Sequence, residues 1–329
     1  MDDIISLAYG NGGENTRKLI DEILGMVGND ILNEQLDAAV LPISGKIAFT
    51  TDSFIVSPIF FSGGDIGELS VYGTVNDLSV VGATPLYLSL SFIIEEGFSF
   101  SAFRNVLLSI KKGSETANVK IVTGDTKVVE KGKGDGIFIN TSGVGVIENG
   151  RDWRKREIKD GDLIIINGGI GEHGISVMLE RLGIKVGKSD MAPLNSLVLP
   201  LLDKTDGIKF MRDPTRGGVA TVLNEISAKY GVGIEIYEDK LPLKQWVKDS
   251  SEILGIDPLY AANEGKVVMV VSDKDADFVL NYLHDKPGGS DASIIGKVTK
   301  SADRVYLVTR IGTRRIIDTL KADILPRIC

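Results

Sequence analysis

Cys329 is the only cysteine of this 329-residue chain and its last residue, closing the tail Ile324-Leu325-Pro326-Arg327-Ile328-Cys329. A thiolate is a strong nucleophile and a good acyl carrier. Pro326 cannot continue a helix, so the tail is expected to act as an arm with a thiol at its tip. Such an arm does chemistry only if the body of the protein holds a site for it to visit; otherwise it is an inconsequential exposed terminus.

A second set of residues offers that site. Asp52 in Thr51-Asp52-Ser53, Asp65 in Gly63-Gly64-Asp65, Asp77 in Val75-Asn76-Asp77 and Asp125 in Gly124-Asp125-Thr126 all fall in the first 150 residues. Carboxylates at strand ends or glycine turns can converge on one cleft, where nearby backbone N–H groups bind phosphate. Converging acids repel one another, and Mg²⁺ bridging them to a polyphosphate removes the conflict. Lys127 lies two residues past Asp125, on the same side of an extended segment, and can balance phosphate charge. Each acid taken singly reads as a turn former. All four together, with Asn76 and Lys127, read as a metal–nucleotide site. GxxxxGK[ST] does not occur and no GxGxxG opens a helix after the first strand, which argues against P-loop and dinucleotide folds. The loop Gly10-Asn11-Gly12-Gly13-Glu14-Asn15-Thr16 is a candidate phosphate cover or a frayed end.

In the second half, Arg212-Asp213-Pro214-Thr215-Arg216-Gly217-Gly218 precedes a helix and suits an anion or other polar ligand. Helix capping by Asp213 is the local alternative, which leaves the two arginines without a role. His173, in Glu172-His173-Gly174, reads as a structural or hydrogen-bonding residue rather than a metal ligand. Glu264, in Asn263-Glu264-Gly265-Lys266, is a candidate general base, with a solvated turn as the alternative.

The elements that must position these groups alternate. Helices are expected over Thr16–Gly25, Ile66–Val81, Ala102–Ala117 and Gly174–Leu182, and after Gly217-Gly218. Strands are expected over Lys46–Val56, Tyr87–Ile94, Val119–Thr123 (ending at Gly124-Asp125), Gly136–Val146, Asp162–Ile166, Gly233–Tyr237, Lys266–Val271 and Val305–Val308. The polar stretch Asn149 to Gly161 marks a boundary. The expectation is a two-domain α/β or α+β protein: 1–150, 151–310, and a tail over 311–329. The net charge of −8 argues against nucleic-acid binding, and one cysteine and two histidines exclude Cys-rich or His-rich metal sites. The lack of a long apolar run and the acidic start Met1-Asp2-Asp3 point to a cytoplasmic protein with no membrane span or secretory leader.

The segments Thr51-Asp52-Ser53, Gly64-Asp65-Ile66-Gly67, Thr74 to Ala83 and Thr123-Gly124-Asp125-Thr126-Lys127-Val128 resemble the ATP-binding half of the aminoimidazole-ribotide-synthetase (PurM-like) superfamily. Arg212 to Gly218, Ala262-Asn263-Glu264-Gly265 and Pro326-Arg327-Ile328-Cys329 narrow the likeness to the HypE family of hydrogenase maturation proteins, the carbamoyl dehydratases. The loop Tyr9-Gly10-Asn11-Gly12-Gly13 departs from the family's usual His-Gly-Ser-Gly-Gly, which removes any role for a histidine or serine side chain there. The resemblance implies a PurM-like homodimer pairing its N-terminal sheets, with ATP in clefts near the dimer interface. It implies Mg²⁺ on Asp52, Asp77 and Asp125, and nucleotide contacts from Gly12, Gly13, Asp65, Asn76, Thr126, Lys127 and Arg216. A carbamoyltransferase, HypF, would load a carbamoyl group onto Cys329. ATP would activate the amide oxygen, with Lys127 balancing charge and Glu264 as base, leaving a thiocyanate on sulfur. The cyano group would pass to iron on a HypC–HypD complex for the [NiFe] hydrogenase centre. The competing readings are a small-molecule synthetase or kinase of the same superfamily, in which Cys329 is incidental, and a carrier with no catalysis of its own.

Overall fold

In the computed structural model, residues 3–10, 12–320 and 326–329 are described. Asn11 of the glycine loop, Met1 and Asp2 of the acidic start, and Ile324 and Leu325 of the tail lie outside those residues. The N-terminal half carries helix α1 (Glu14–Val27), strand β1 (Lys46–Phe54), a two-residue pairing of β2 (Phe60–Phe61) with β3 (Gly64–Asp65), helix α2 (Ile66–Val80), β4 (Ala83–Glu95), α3 (Phe100–Ala117), β5 (Lys120–Val129) and β6 (Ile137–Ile147). Its main sheet runs β1-β6-β4-β5, antiparallel except for the β4–β5 pair, so β1 and β5 are the two edges.

Alternation fixes which way that sheet faces. Ile137, Ile139 and Thr141 are buried on the helix side, while Phe138, Asn140 and Ser142 point the other way. Among the described residues no helix or strand covers that second face, which exposes Ile47, Phe49 and Ile93. Helix α2 lies inside the molecule and is apolar or small on nearly every side; every residue except Asp77 is buried. Asp65 caps it, accepting from Gly67 N at 2.7 Å, Glu68 N at 3.3 Å and the Ser109 hydroxyl.

The C-terminal half contributes β7 (Leu163–Ile166), α4 (Glu172–Arg181), α5 (Asn195–Leu202), β8 (Ile208–Arg212), α6 (Gly218–Tyr230), β9 (Gly233–Tyr237), α7 (Gln245–Leu254), β10 (Val268–Val271), α8 (Asp273–His284), β11 (Ser293–Thr299), β12 (Val305–Val308) and β13 (Arg314–Ile316). These strands form one sheet in the order β13-β12-β9-β11-β7-β10-β8. Ile164–Ile166 and Val268–Val271 are wholly buried, as unbroken apolar runs covered on both faces must be. Strand β13 pairs with β12 and Ile317 is buried, so the sheet extends into the segment expected to be free tail from residue 311. Its short, exposed, arginine-rich sequence carries no apolar alternation to announce it. β5 also runs further than expected, placing Asp125 in mid-strand rather than at a strand end.

The two halves are sewn together at α2. Trp153 Nε1 donates to Val80 O at 2.9 Å, and Arg151, anchored on Asp203 in its own half, donates to Thr84 Oγ1 at 2.8 Å. Residues 187–194 form a strap across the seam: Ser62 Oγ donates to Gly187 O at 2.8 Å and Ser189 N to Ser62 O at 2.8 Å. Asn76 pins its far end, donating to Ala192 O at 3.1 Å and Glu264 O at 3.2 Å and accepting from Leu194 N at 2.7 Å. With its amide engaged in this way, Asn76 ties the seam together. Asn76→Ala should therefore lower the free energy of unfolding by about 2–3 kcal/mol, because three buried partners lose their mate. Urea denaturation checks this; lost nucleotide binding with unchanged stability would favour the contact role.

Candidate active site

At the seam, carboxylates from both halves crowd one another. Asp52 comes from β1, Asp77 from α2, Asp213 from the turn after β8, and Glu264 from the loop before β10. Thr50 Oγ1 donates to Asp77 Oδ2 at 2.7 Å. Burial first, then Asp77, pushes the Asp52 carboxyl up to about 6 against the pull of Arg216. Asp77 is also raised by burial, although Thr50 and Arg212 oppose the shift. Asp213 is pushed up to about 7 by burial and by the charges of Asp77 and Asp52.

Glu264 is not a solvated turn residue. It is 3% exposed, and its Oε1 has no hydrogen-bond partner among the described residues. Burial, then Asp213, Asp190, Asp52 and Asp77, raise its carboxyl well above the ordinary range. Its loop is held rigidly. Asn263 Oδ1 accepts from Gly171 N at 2.7 Å and its Nδ2 donates to Pro214 O at 2.9 Å, while Glu264 N reaches Asp190 Oδ1 at 3.3 Å. An unsatisfied buried carboxylate oxygen facing other carboxylates is a hard-oxygen environment that suits a divalent cation. No group of three or more His, Cys, Asp or Glu among the described residues is arranged to hold a metal ion unaided.

Asp125 does not join this cluster within one chain. In the strand register Asp52 aligns with Thr141, Leu90 and Gly124 on the helix side, whereas Asp125 aligns with Ser91 and Asn140 on the open face. The two carboxylates sit on opposite edges and opposite faces of a four-stranded sheet, three strand spacings or about 14 Å apart. Asp213, read from the sequence as a helix cap, lies close enough to Asp77 and Asp52 to feel their charge. Asp125 instead pairs with Lys127 at 2.7 Å in solvent, which holds its carboxyl below the ordinary range. Beside that pair, between β5, α1 and residues 31–39, lies a cavity of about 410 Å³ lined by Gly10, Gly12, Thr16, Thr126 and Lys127, with Leu90 and Phe92 below. Gly13 precedes α1 as its capping residue, and Gly12 N donates to Thr16 Oγ1 at 2.9 Å. Asp65 caps α2, and Arg216 is exposed at the rim of the acid cluster.

The tail completes the site. Residues 326–329 lie along the segment that follows β1: Ile55 N donates to Cys329 O at 3.1 Å and Ser57 N to Arg327 O at 3.2 Å. Arg327 Nε returns a bond to Ile55 O at 3.0 Å, its NH1 meets Asp135, and its guanidinium lies over Phe138. Ile328 is 2% exposed and its carbonyl accepts from His173 Nε2 at 2.9 Å. Gly174, the next residue, donates to Ala262 O at 2.9 Å, two positions before Glu264. Cys329 is therefore held against Ile55, three residues past Asp52, while its neighbour Ile328 is held by His173.

The raised carboxyls have a stability consequence. A folded-state value near 7 for Asp213, above its ordinary 3.8, means the folded protein holds that proton more tightly than the unfolded chain. Its favourable contribution is present at low pH and disappears between about pH 4 and 7. In the protein without nucleotide or Mg²⁺, Asp213→Asn should stabilise by about 1 kcal/mol at pH 8 and by about half as much at pH 5.5. Thermal melts at the two pH values check this; destabilisation at pH 8 would contradict it.

Known proteins share this sequence and fold. Residues 35–147 match the N-terminal domain of the AIR synthase related proteins and residues 159–308 match their C-terminal domain. The carbamoyl dehydratase HypE of Rhizobium leguminosarum bv. viciae is 45% identical over 99% of this chain and 95% of its own length; that of Escherichia coli K12 is 41% identical over 99% of both. A crystal structure of hydrogenase maturation protein HypE in complex with ATP superposes with a TM-score of 0.95 at 41% identity, covering 98% of this chain and 99% of that one. A HypE–HypF complex gives 0.80 at 47% identity over 94% of this chain and all of that one. The chain belongs to the HypE carbamoyl dehydratase family of AIR-synthase-related hydrogenase maturation proteins.

Proposed function

We propose that the protein dehydrates a thiocarboxamide on its own Cys329 to a thiocyanate at the expense of ATP, supplying cyanide for the [NiFe] hydrogenase centre. The observation that carries this reading is the thiol-bearing tail docked on Ile55, Ser57 and His173, with the neighbouring residue Gly174 bonded to the loop that presents Glu264, whose buried Oε1 has no hydrogen-bond partner among the described residues. Amide oxygen is a poor leaving group, and phosphate is a good one. The thiocarboxamide oxygen attacks the γ-phosphorus and ADP leaves. One nitrogen proton is lost as C=N forms; the second is lost as the C–O bond breaks, giving S–C≡N and inorganic phosphate. Glu264 is the base: burial raises its proton affinity, as proton abstraction near neutral pH requires. The surrounding seam excludes water that would hydrolyse the activated intermediate.

Asp52, Asp77 and Asp213 are the residues that would hold Mg²⁺, the nucleotide's phosphate oxygens completing a ligand set the side chains do not complete alone. The cation supplies charge neutralisation for phosphoryl transfer. Gly12, Gly13, Thr126 and Lys127 form the phosphate and nucleotide approach on the β5 side. A homodimer follows from the open sheet face: a second copy covers Ile47, Phe49 and Ile93, and its Asp125 and Lys127 enter the shared cleft. The carbamoyl donor protein is HypF, supported by the relative's HypE–HypF complex, and the cyanide acceptor is the HypC–HypD complex. The setting is the cytoplasm; no helix among the described residues is long and apolar enough to cross a membrane. Superfamily neighbours such as a thiamine monophosphate kinase, 19% identical, share the fold alone.

Intact-mass spectrometry tests the reading. Protein loaded by the carbamoyltransferase and repurified should keep a carbamoyl adduct on Cys329 until ATP is added, then become lighter by one water. Glu264→Gln should retain the carbamoyl adduct and slow its loss by about 10²–10⁴-fold. ATP hydrolysis with a diffusible substrate while Cys329 stays unmodified would hand the protein to the small-molecule kinase reading. Undiminished cyano transfer by Asp77→Asn would favour a passive carrier.

A further inference from the structure

The docked tail is held by one side chain from the C-terminal half whose chemistry is unusually constrained. His173 is fully buried at the start of α4, packed edge-on to Phe61 with ring centroids 5.4 Å apart. Its Nε2 lies 2.9 Å from the Ile328 carbonyl and its Nδ1 lies 2.8 Å from Ser189 Oγ. A carbonyl only accepts, so Nε2 carries the hydrogen and Nδ1 accepts from the serine hydroxyl. Burial disfavours a second proton on the ring, against the opposing pull of Asp190 and the Ile328 carbonyl. Ser189 is itself oriented, because Met191 N donates to its oxygen at 3.1 Å.

The same residue touches both sides of the chemistry. Its neighbour Gly174 bonds Ala262, in the loop that presents Glu264, and Ser189 sits on the strap that Asn76 ties to Glu264 O. Further along α4, Arg181 donates to Ser57 O and to Arg327 O, flanking the bond from His173. Arg327 meanwhile adopts φ +53°, a left-handed conformation that a non-glycine residue keeps only under such restraint. The docked state hides the Ile328 side chain in the core, so a second enzyme cannot engage residues 327–329 without releasing them.

We propose that His173 is the positioning residue that divides the tail between two uses, docked beside Glu264 for dehydration and released for loading. This rests on the dehydratase reading. The thiol arm is presented to the seam by a neutral, serine-oriented imidazole donating to the carbonyl next to Cys329. Weakening that bond shifts the tail outward by about five- to tenfold, the ratio one buried hydrogen bond commands.

The test measures three rates on the full-length protein: iodoacetamide alkylation of Cys329, carbamoyl loading by the carbamoyltransferase, and single-turnover dehydration after ATP addition to preloaded, repurified protein. His173→Ala should raise alkylation and lower dehydration, each about five- to tenfold, without slowing loading. His173→Gln, whose amide can donate to the same carbonyl, should recover both rates. Ser189→Ala, which frees the ring tautomer, should move them in the same direction as His173→Ala and serves if that variant fails to fold. Unchanged alkylation and dehydration in the folded variants would overturn the proposal. So would a parallel loss of all three rates that Gln does not rescue. Wild-type protein that loads but never dehydrates would instead overturn the enzyme reading.

Discussion

The structure depends on burying like charges at a seam between two domains. Asp52 and Asp77 come from one half, Asp213 and Glu264 from the other; Asp77 raises the proton affinity of Asp52 and Asp213, and Asp52, Asp77 and Asp213 raise that of Glu264. That cluster is costly in the empty protein and favourable only when positive charge enters, so it acts as a demand for a cation-bearing ligand. Everything that sews the seam works against the repulsion. Trp153 on Val80, Arg151 on Thr84 and the strap over residues 187–194 hold the carboxylates at a spacing they would not choose.

The tail uses the same seam. Its backbone continues the hydrogen bonding of Ile55 and Ser57, directly after the strand that carries Asp52, while His173 reaches it from the opposite domain. The strap, the Glu264 loop and the docked tail thus share partners, and none of the three can move without altering the others' hydrogen bonds. A carrier arm that must leave to be loaded and return to react needs such a dock: specific enough to orient the sulfur, yet made of few bonds.

Much of this was legible in the chain. β9 and β12 lie where β-branched periodicity put them, and α2 and β1 differ by no more than two residues at any end. Asp52, Asp77 and Glu264 were singled out by residue type and context, and the geometry brings them together. Asp125 was grouped with them because order along the chain does not reveal that β1 and β5 end up on opposite edges. Asp213 was missed as a cluster member because Asp-Pro before a helix has a sufficient local explanation in capping. Asp65 and Asn76 look like ligands in sequence; only the fold shows their polar atoms spent on a helix start and a strap. His173 was read as hydrogen bonding, but its partner lies 155 positions away, beyond the reach of any local pattern.

The central claim is that the tail docks on its own chain, within reach of that chain's Glu264. It is tested most directly by mixing Cys329→Ser protomers with Glu264→Gln protomers, allowing exchange, and measuring thiocyanate formation by mass spectrometry after loading and ATP addition. Docking in cis predicts that the mixture forms none, since every loaded thiol belongs to a chain without its base. Conversion of a substantial fraction of the loaded Glu264→Gln chains would contradict the account and place the tail in the partner's cleft.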